Sequence, residues 1–306
     1  MPINILNGLP AKEILESEKI FALEEDVARK QDIRPLRIAI LNLMPKKIET
    51  ETQILRLISK SPLQVDIDFM KVSNHVSKNT SADHLLKFYD DFSMLKENHY
   101  DGLIITGAPV EHLEYEDVDY WQELCTIMEW SKSHVYSTFH LCWGAFAGLY
   151  YHYGIQKHLL PHKVFGIFPQ LLCDEYNFLT NGFDEVHMTP HSRHTAIDEE
   201  ALAEVKELEV LSRSNTTGSN IIATRDFRRI FIMGHLEYGK DTLAQEYFRD
   251  LNQGKEIQIP YNYFPEDDPS KEPLFKWRAH ANLLYRNWLN YVYQMTPFDL
   301  KELTTG

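Results

Sequence analysis

The chain has 306 residues, of which 43% are hydrophobic and 25% are charged, and its formal net charge is -14 at pH 7. This length and apolar content predict one large α/β domain or two small ones, each with a buried core. The negative charge argues against nucleic acid and anionic membranes as partners, because phosphate contacts need clustered lysine and arginine. An anionic small molecule would need a local group of bases, for which the candidates are Lys46, Lys47, Lys163 and Arg193.

Targeting signals and cysteine usage predict a cytoplasmic protein with free thiols. No apolar run approaches the ~20 residues that span a bilayer. Residues 1–7 lack the basic start and the long apolar stretch of a signal peptide. Cys125, Cys142 and Cys173 are odd in number and have no paired spacing, which argues against a disulfide framework.

The N-terminal half of the chain alternates between predicted strands and predicted helices. Residues 1–34 are predicted to form an arm that packs on the main domain or on a partner subunit, with a helix from Ala11 to Lys30. The run LRIAILNL that follows is typical of a strand buried on both faces of a parallel sheet. Further strands are predicted over 63–72, 100–109 and 135–140, and helices over 50–61, 81–98, with Ser81 as N-cap, and 118–134. This alternation predicts βαβ units, and hence a mainly parallel sheet covered by helices on both faces.

The pattern becomes less regular after Tyr153. Antiparallel strands in longer loops are predicted over 163–172, 183–193 and 208–214, followed by a hairpin-like pair over 219–226 and 228–235 around Phe227. A helix ending at Gly254 and a last helix from about Leu274 to Tyr293 complete the chain. We expect an arm (1–34), a main α/β domain (35–300) and a short tail (301–306).

A cysteine at a predicted strand-to-helix turn is the first candidate functional residue. Cys142 lies between the strand VYSTFH and the helix start GAFAGLYY. Open α/β sheets bind ligands at the carboxyl ends of their strands, and the N-terminus of a helix there favours a thiolate. The small residues Gly144, Ala145 and Ala147 would let the helix pack closely on the sheet. The alternative is a buried structural cysteine, and this segment alone does not decide between the two.

A histidine and a glutamate follow another predicted buried strand, IFIMG. His235 and Glu237 are two residues apart, so in an extended or turn conformation they can point the same way. His235 would then act as a general base, and Glu237 would fix its tautomer and stabilise the imidazolium. A His-x-Glu at a strand end also arises by chance as a solvated pair, but its combination with an elbow cysteine is far less common.

These residues resemble a known family. A cysteine elbow followed distantly by His-x-Glu resembles the class I glutamine amidotransferase fold, a flavodoxin-like α/β arrangement. Within that fold, LNLMPKK, TGAPVE, FHLCWGA, PHSR and GHLEY resemble the homoserine O-acyltransferases of methionine biosynthesis. True glutaminases usually carry glycine two residues before the nucleophile, where this chain has His140. That departure favours the acyltransferase branch over glutamine hydrolysis.

The resemblance implies a ping-pong transfer. An acyl-CoA would acylate Cys142, CoA would leave, and His235 would activate the homoserine hydroxyl for attack on the thioester. The backbone N–H of Trp143 would supply one oxyanion donor, and Lys47 or the turn at Ala108 a second. Lys46 and Lys47 alternatively form a solvated helix start, although cations are disfavoured there.

The same resemblance implies a substrate pocket that contains both signs of charge. Lys163, Ser192 and Arg249 match substrate-binding positions of the family. Glu246 lies three residues before Arg249 on a predicted helix, and we add it as a candidate partner for the homoserine ammonium. The alternative for Glu246 and Arg249 is an intrahelical salt bridge.

Glu111 is the residue on which the choice of acyl donor depends. Family members that use succinyl-CoA carry glycine at the matching position, and members that use acetyl-CoA carry glutamate. A succinyl carboxylate about 4 Å from Glu111 would be repelled by roughly 4 kcal/mol at an effective dielectric constant near 20. That energy corresponds to about a thousandfold discrimination. We therefore expect acetyl-CoA as co-substrate, with succinyl-CoA as the alternative donor.

Other functions are less consistent with the sequence. A glutaminase or thiol hydrolase could use the same three residues, and a non-catalytic binding module could keep the fold. Cys125 and Cys173 are predicted to be core thiols. No zinc-helix spacing, dinucleotide motif or phosphate loop is present, so we expect no metal and no permanently bound cofactor. The arm and the aromatic-rich last helix would suit a homodimer.

Overall fold

The computed structural model describes residues 3–17, 22–28, 34–73, 80–174 and 177–303. The strands in this part of the chain are β1 Ile3–Ile5, β2 Ala22–Glu24, β3 Leu36–Leu41, β4 Val65–Lys71, β5 Tyr89–Asp91, β6 Tyr100–Ile105, β7 Val135–Leu141, β8 Lys157–Leu172, β9 Val186–Ile197, β10 Leu208–Ser214, β11 Gly218–Thr224 and β12 Arg229–Ile232. The helices are α1 Ala11–Ser17, α2 Glu25–Ala28, α3 Lys47–Ile58, α4 Ala82–Phe88, α5 Phe92–Leu95, α6 Trp121–His134, α7 Trp143–Tyr153, α8 Glu199–Glu204, α9 Thr242–Asn252 and α10 Arg278–Met295.

The strands form one sheet in the order β2-β1-β4-β3-β6-β7-β12-β11-β10-β8-β9, with β5 paired to β4. Pairing is parallel from β2 to β12 and antiparallel from β12 to β9. One hydrophobic core includes residues of α3 and α10, and a second core includes residues of α6 and α7. The predicted α/β fold, with a mainly parallel sheet covered by helices on both faces, is confirmed.

The helix predicted from Ala11 to Lys30 is wrong. Helix α1 ends at Ser17, and β2 and α2 follow it, while residues 18–21 and 29–33 lie outside the described part. Strand β1 pairs with both β2 and β4, so this part of the arm extends the edge of the sheet. Backbone pairing with the sheet overrides the local helical pattern here, as tertiary context often does.

The helix predicted over 81–98 is interrupted for the same reason. Ser81 caps α4 as predicted, because its hydroxyl accepts from the backbone N–H of His84. The chain then pairs with β4 through Tyr89–Asp91 before α5 begins.

The predicted hairpin around Phe227 is confirmed, since β11 and β12 are antiparallel and Phe227 has a φ of 51°. In the described ranges, the helices are all too short or too polar to cross a membrane.

Candidate active site

A sharp turn between β7 and α7 carries Cys142. Its backbone has φ 47° and ψ -116°, a conformation that residues other than glycine rarely adopt and that occurs mostly at functional sites. The Cys142 N–H donates to the Ile232 carbonyl of β12 at 2.7 Å, which ties the turn to the neighbouring strand. The side chain therefore lies at the carboxyl ends of parallel strands, where open α/β sheets bind ligands.

Gly144 allows α7 to approach the sheet closely. A Cβ atom on Gly144 would lie 2.7 Å from the Thr106 carbonyl oxygen and 2.8 Å from the Ile105 carbonyl oxygen, and neither backbone atom can move independently. Ala145 and Ala147 are fully buried on the same helix. The small residues that follow the elbow are thus required by packing, as predicted.

Replacing Gly144 with alanine is expected to lower the free energy of unfolding by about 1–3 kcal/mol, because the methyl group overpacks the β6–α7 contact. Denaturant titration of the purified variant measures this loss. Gly239→Ala is the matched control, since a Cβ at Gly239 would meet only Thr242 Oγ1 at 3.6 Å. Equal unfolding free energies for wild type and Gly144→Ala would contradict the packing explanation.

His235 and Glu237 follow β12 and lie beside the elbow. The His235 Nδ1 is 2.6 Å from Glu237 Oε1, and the His235 backbone N–H donates to the Pro190 carbonyl at 2.8 Å. The imidazole also stacks on Tyr238, with ring centroids 4.1 Å apart and an interplanar angle of 11°. The Glu237 hydrogen bond and the stacking on Tyr238 therefore fix the ring, and Nε2 remains for the hydrogen bond to Cys142.

The electrostatics of the site favour a protonated His235. Burial opposes the charged imidazole, but the charges of Cys142 and Glu237 and hydrogen bonds to both raise the pKa of His235 well above its usual value. An imidazolium beside a cysteine sulfur stabilises the thiolate, which is the nucleophilic form. The structure thus brings Cys142, His235 and Glu237 together in the geometry expected for an activated thiol.

A cavity of about 750 Å³ opens in front of Cys142 and His235. This volume is typical of a site for a small molecule or cofactor. The residues predicted from sequence that line it are Cys142, Trp143, His235, Ala108, Glu111, Lys46, Lys163, Ser192, Glu246 and Arg249. These residues come from separate segments of the chain, so the fold assembles one site from motifs that are distant in sequence.

The two candidates for a second oxyanion donor are placed differently. Ala108 lines the cavity together with Trp143, whose N–H is at the first position of α7 and so has no intrahelical acceptor. Lys47 does not line the cavity, because its ammonium is buried and donates to the Asn42 carbonyl at 2.6 Å. Burial, opposed by the nearby charge of Glu51, lowers the pKa of Lys47 to about 8. The Ala108 turn is the better placed of the two.

The predicted substrate-binding residues form one polar cluster. Glu246 accepts hydrogen bonds from Ser192 Oγ at 2.8 and 2.9 Å and from Lys163 Nζ at 2.5 Å. Arg249 Nη2 lies 3.9 Å from Glu246 Oε1, and its Nε donates to Asp250 at 2.8 Å. The intrahelical pair considered from sequence is therefore present, but Glu246 is bound mainly by residues of β8 and β9.

Glu111 lines the same cavity and is bound by residues of β9. Its Oε2 accepts from the His194 backbone N–H at 2.7 Å and from Thr195 Oγ1 at 3.3 Å. The side chains of His112 and His194 lie next to it. Neither histidine nor Tyr238 is recognisable as a site residue from sequence alone, although Tyr238 ends the GHLEY motif and His194 directly follows PHSR.

The fold is similar to that of solved glutamine amidotransferases. A glutamine amidotransferase from Thermotoga maritima superposes with a TM-score of 0.56 at 12% identity, covering 85% of this chain and 99% of that one. A glutamine amidotransferase from Methylobacillus flagellatus gives a TM-score of 0.52 at 10% identity, covering 85% and 96% of the two chains. The fold is that of the class I glutamine amidotransferase-like proteins.

Sequence comparison resolves the family within this class. The family model described as homoserine O-succinyltransferase matches residues 2–298. A homoserine O-acetyltransferase of Bifidobacterium adolescentis is 60% identical over 99% of this chain and 88% of its own length. That of Acetivibrio thermocellus is 56% identical over 99% of this chain and all of its own length. The chain belongs to the homoserine O-succinyltransferase family.

Proposed function

We propose that this protein transfers an acetyl group from acetyl-CoA to the hydroxyl of L-homoserine, through a thioester on Cys142. The observation that carries the proposal is the Cys142, His235 and Glu237 array, of which Cys142 and His235 line a cavity that also contains Glu111. The names of the relatives support the same reaction. The product, O-acetyl-L-homoserine, would serve methionine biosynthesis.

In the first half-reaction the Cys142 thiolate attacks the acetyl carbonyl of acetyl-CoA. The carbonyl oxygen becomes an oxyanion, which we expect the N–H groups of Trp143 and the Ala108 turn to stabilise, since both residues line the cavity. The carbon–sulfur bond to CoA then breaks, and the His235 imidazolium gives its Nε2 proton to the departing CoA sulfur. The acetyl group remains on Cys142, and His235 is left neutral with Nδ1 bonded to Glu237.

In the second half-reaction the homoserine hydroxyl attacks the Cys142 thioester. Neutral His235 takes the hydroxyl proton on Nε2 as the oxygen–carbon bond forms, and Glu237 stabilises the resulting imidazolium. The bond from carbon to the Cys142 sulfur then breaks, which restores the thiolate beside the imidazolium. His235 gives up a proton in the first half-reaction and regains one in the second, so the same histidine serves both.

The polar cluster on β8, β9 and α9 is the proposed site for the zwitterionic ends of homoserine. Arg249 has a half-exposed guanidinium for the substrate carboxylate. Ser192 and Lys163 fix the Glu246 carboxylate from two sides, which leaves it oriented for an ammonium group. No permanently bound cofactor enters the scheme, and acetyl-CoA acts as co-substrate.

Glu111 is proposed to exclude succinyl-CoA by charge. Its carboxylate is held in the lining by His194 and Thr195, so it cannot swing away from a second carboxylate without losing those hydrogen bonds. Glu111→Gly is expected to raise kcat/KM for succinyl-CoA by about a thousandfold, the value given by roughly 4 kcal/mol of repulsion. Steady-state CoA release with each donor measures the change.

Two variants separate charge from bulk at this position. Glu111→Gln keeps the size of the side chain and should recover much of the gain if repulsion is the cause. Glu114→Gln, an exposed acidic residue on the same segment, is the matched control and should leave donor preference unchanged. Continued exclusion of succinyl-CoA by Glu111→Gly would contradict the charge explanation.

The donor and the acceptor are tested together by CoA release. Purified protein is mixed with L-homoserine and either acetyl-CoA or succinyl-CoA, and free CoA thiol is followed over time. Release with acetyl-CoA is the expected result, and release mainly with succinyl-CoA would overturn the donor assignment. Release of ammonia from glutamine, without any acyl acceptor, would instead indicate a glutaminase or thiol hydrolase.

Cellular location and assembly are part of the same proposal. Cys125, Cys142 and Cys173 are all free thiols in the structure, which suits a reducing compartment such as the cytoplasm. A homodimer would be consistent with an N-terminal segment that already extends the edge of the sheet. Gel filtration with light scattering measures the mass of the assembly.

A further inference from the structure

We propose that Glu111, His112 and His194 form a binding site for a divalent transition-metal ion in the wall of the Cys142 cavity. One ligand atom from each of the three side chains lies within 4.8 Å of the other two. All three residues line the same cavity. A metal ion bound here would contradict the sequence-based expectation of no metal.

The distances fit a site that needs only small side-chain rotations. Ligand atoms around a tetrahedral ion with bonds near 2.1 Å are about 3.4 Å apart. The two imidazole rings have centroids 4.9 Å apart and an interplanar angle of 47°, so they neither stack face to face nor block each other. His112 is exposed, and rotation of its ring costs little packing.

The surrounding hydrogen bonds orient the carboxylate. Glu111 Oε2 is engaged by the His194 N–H and Thr195 Oγ1. Lys157 Nζ donates to the backbone carbonyls of Glu111 at 3.1 Å and Leu113 at 2.7 Å, which fixes the segment that carries Glu111 and His112. Outer contacts of this kind hold the first ligands of metal sites in place.

The ligand set indicates which ions would bind. Two imidazoles and one carboxylate suit Zn²⁺, Co²⁺ or Ni²⁺, whereas Mg²⁺ and Ca²⁺ prefer oxygen ligands. Three protein ligands would leave a fourth position open to water. If Glu111 excludes succinyl-CoA as proposed above, an ion bound here would neutralise the repelling charge, and that consequence depends on the proposed function.

Metal binding is measured directly, without substrates. The full chain carrying Cys142→Ser, which removes the competing thiolate, is titrated with Co²⁺ by visible absorption and with Zn²⁺ by calorimetry. We expect one ion per chain, with absorption bands typical of tetrahedral Co²⁺. Adding His112→Gln or His194→Ala is expected to weaken binding by at least about tenfold, because each removes one of three ligands.

His162→Ala is the matched control, since His162 is an exposed histidine outside the cluster and its loss should leave the affinity unchanged. Circular dichroism checks that each variant is folded, and the exposed His112 makes His112→Gln the safer of the two. Absence of one-to-one binding, or equal binding by the His112→Gln and His162→Ala variants, would overturn the metal site. Because no acetyl transfer is measured, failure here is distinct from failure of the proposed reaction.

Discussion

Replacing Cys142 with serine is expected to lower acetyl-CoA-dependent CoA release by at least about 10⁴-fold, as loss of a nucleophile does in related acyl-transfer chemistry. The serine hydroxyl holds its proton far more tightly than a thiol, so no nucleophilic anion forms beside the protonated His235. The strained φ of 47° at Cys142 presents the side chain to the cavity, so the effect should fall on kcat. Steady-state kinetics with saturating L-homoserine measure it.

The matched control for this variant is Cys173→Ser. The prediction that Cys173 is a core thiol is wrong, because it is an exposed free thiol after β8, and its replacement should leave the rate unchanged. A loss of activity in both variants would point to general damage by thiol replacement. Wild-type rates in Cys142→Ser would contradict the role of the elbow cysteine.

Replacing Glu237 with glutamine is expected to lower kcat by about 10²–10⁴-fold, because an amide can bond the wrong tautomer of His235 and carries no charge to stabilise the imidazolium. The carboxylate is buried and lies 2.6 Å from His235 Nδ1, so solvent screening is weak. Glu237→Gln should keep more activity than Cys142→Ser, which distinguishes the two variants. A rate within twofold of wild type would contradict the orienting role of Glu237.

The same variant should change the pH profile in a defined direction. Although burial opposes it, the pKa of His235 is raised by the charges of Cys142 and Glu237 and by hydrogen bonds to both, so His235 keeps its proton to higher pH than an ordinary histidine. Glu237→Gln removes part of that stabilisation, and the pKa of His235 must fall. The upper limb of kcat/KM against pH for acetyl-CoA should therefore move to lower pH.

The sequence predicted best where local chemistry and the fold agree. The β-prone runs that became β3, β6 and β7 are typical of buried strands, and small residues after Cys142 were needed at a crowded elbow. His235 and Glu237 were recognisable because a spacing of two residues places both side chains together. In these segments the hydrophobic pattern, turn chemistry and site point to the same structure.

The sequence predicted least where contacts are non-local. Residues 11–30 carry a helical pattern, yet β2 interrupts it because the sheet edge supplies hydrogen-bond partners that sequence does not show. Lys47 was predicted as a candidate oxyanion donor, but backbone carbonyls of the preceding loop accept hydrogen bonds from its ammonium. His112 and His194 lie on different elements, and only their shared position beside Glu111 reveals them as a cluster.

The acyl-enzyme itself tests the central claim most directly. Purified protein is mixed with acetyl-CoA in the absence of homoserine, quenched in acid and analysed by peptide mass spectrometry. The proposed mechanism predicts one acetyl group per chain on the peptide that contains Cys142, with equimolar CoA released and discharge of the label by L-homoserine. Unlabelled protein, together with CoA release only when both substrates are present, would contradict a covalent intermediate at Cys142.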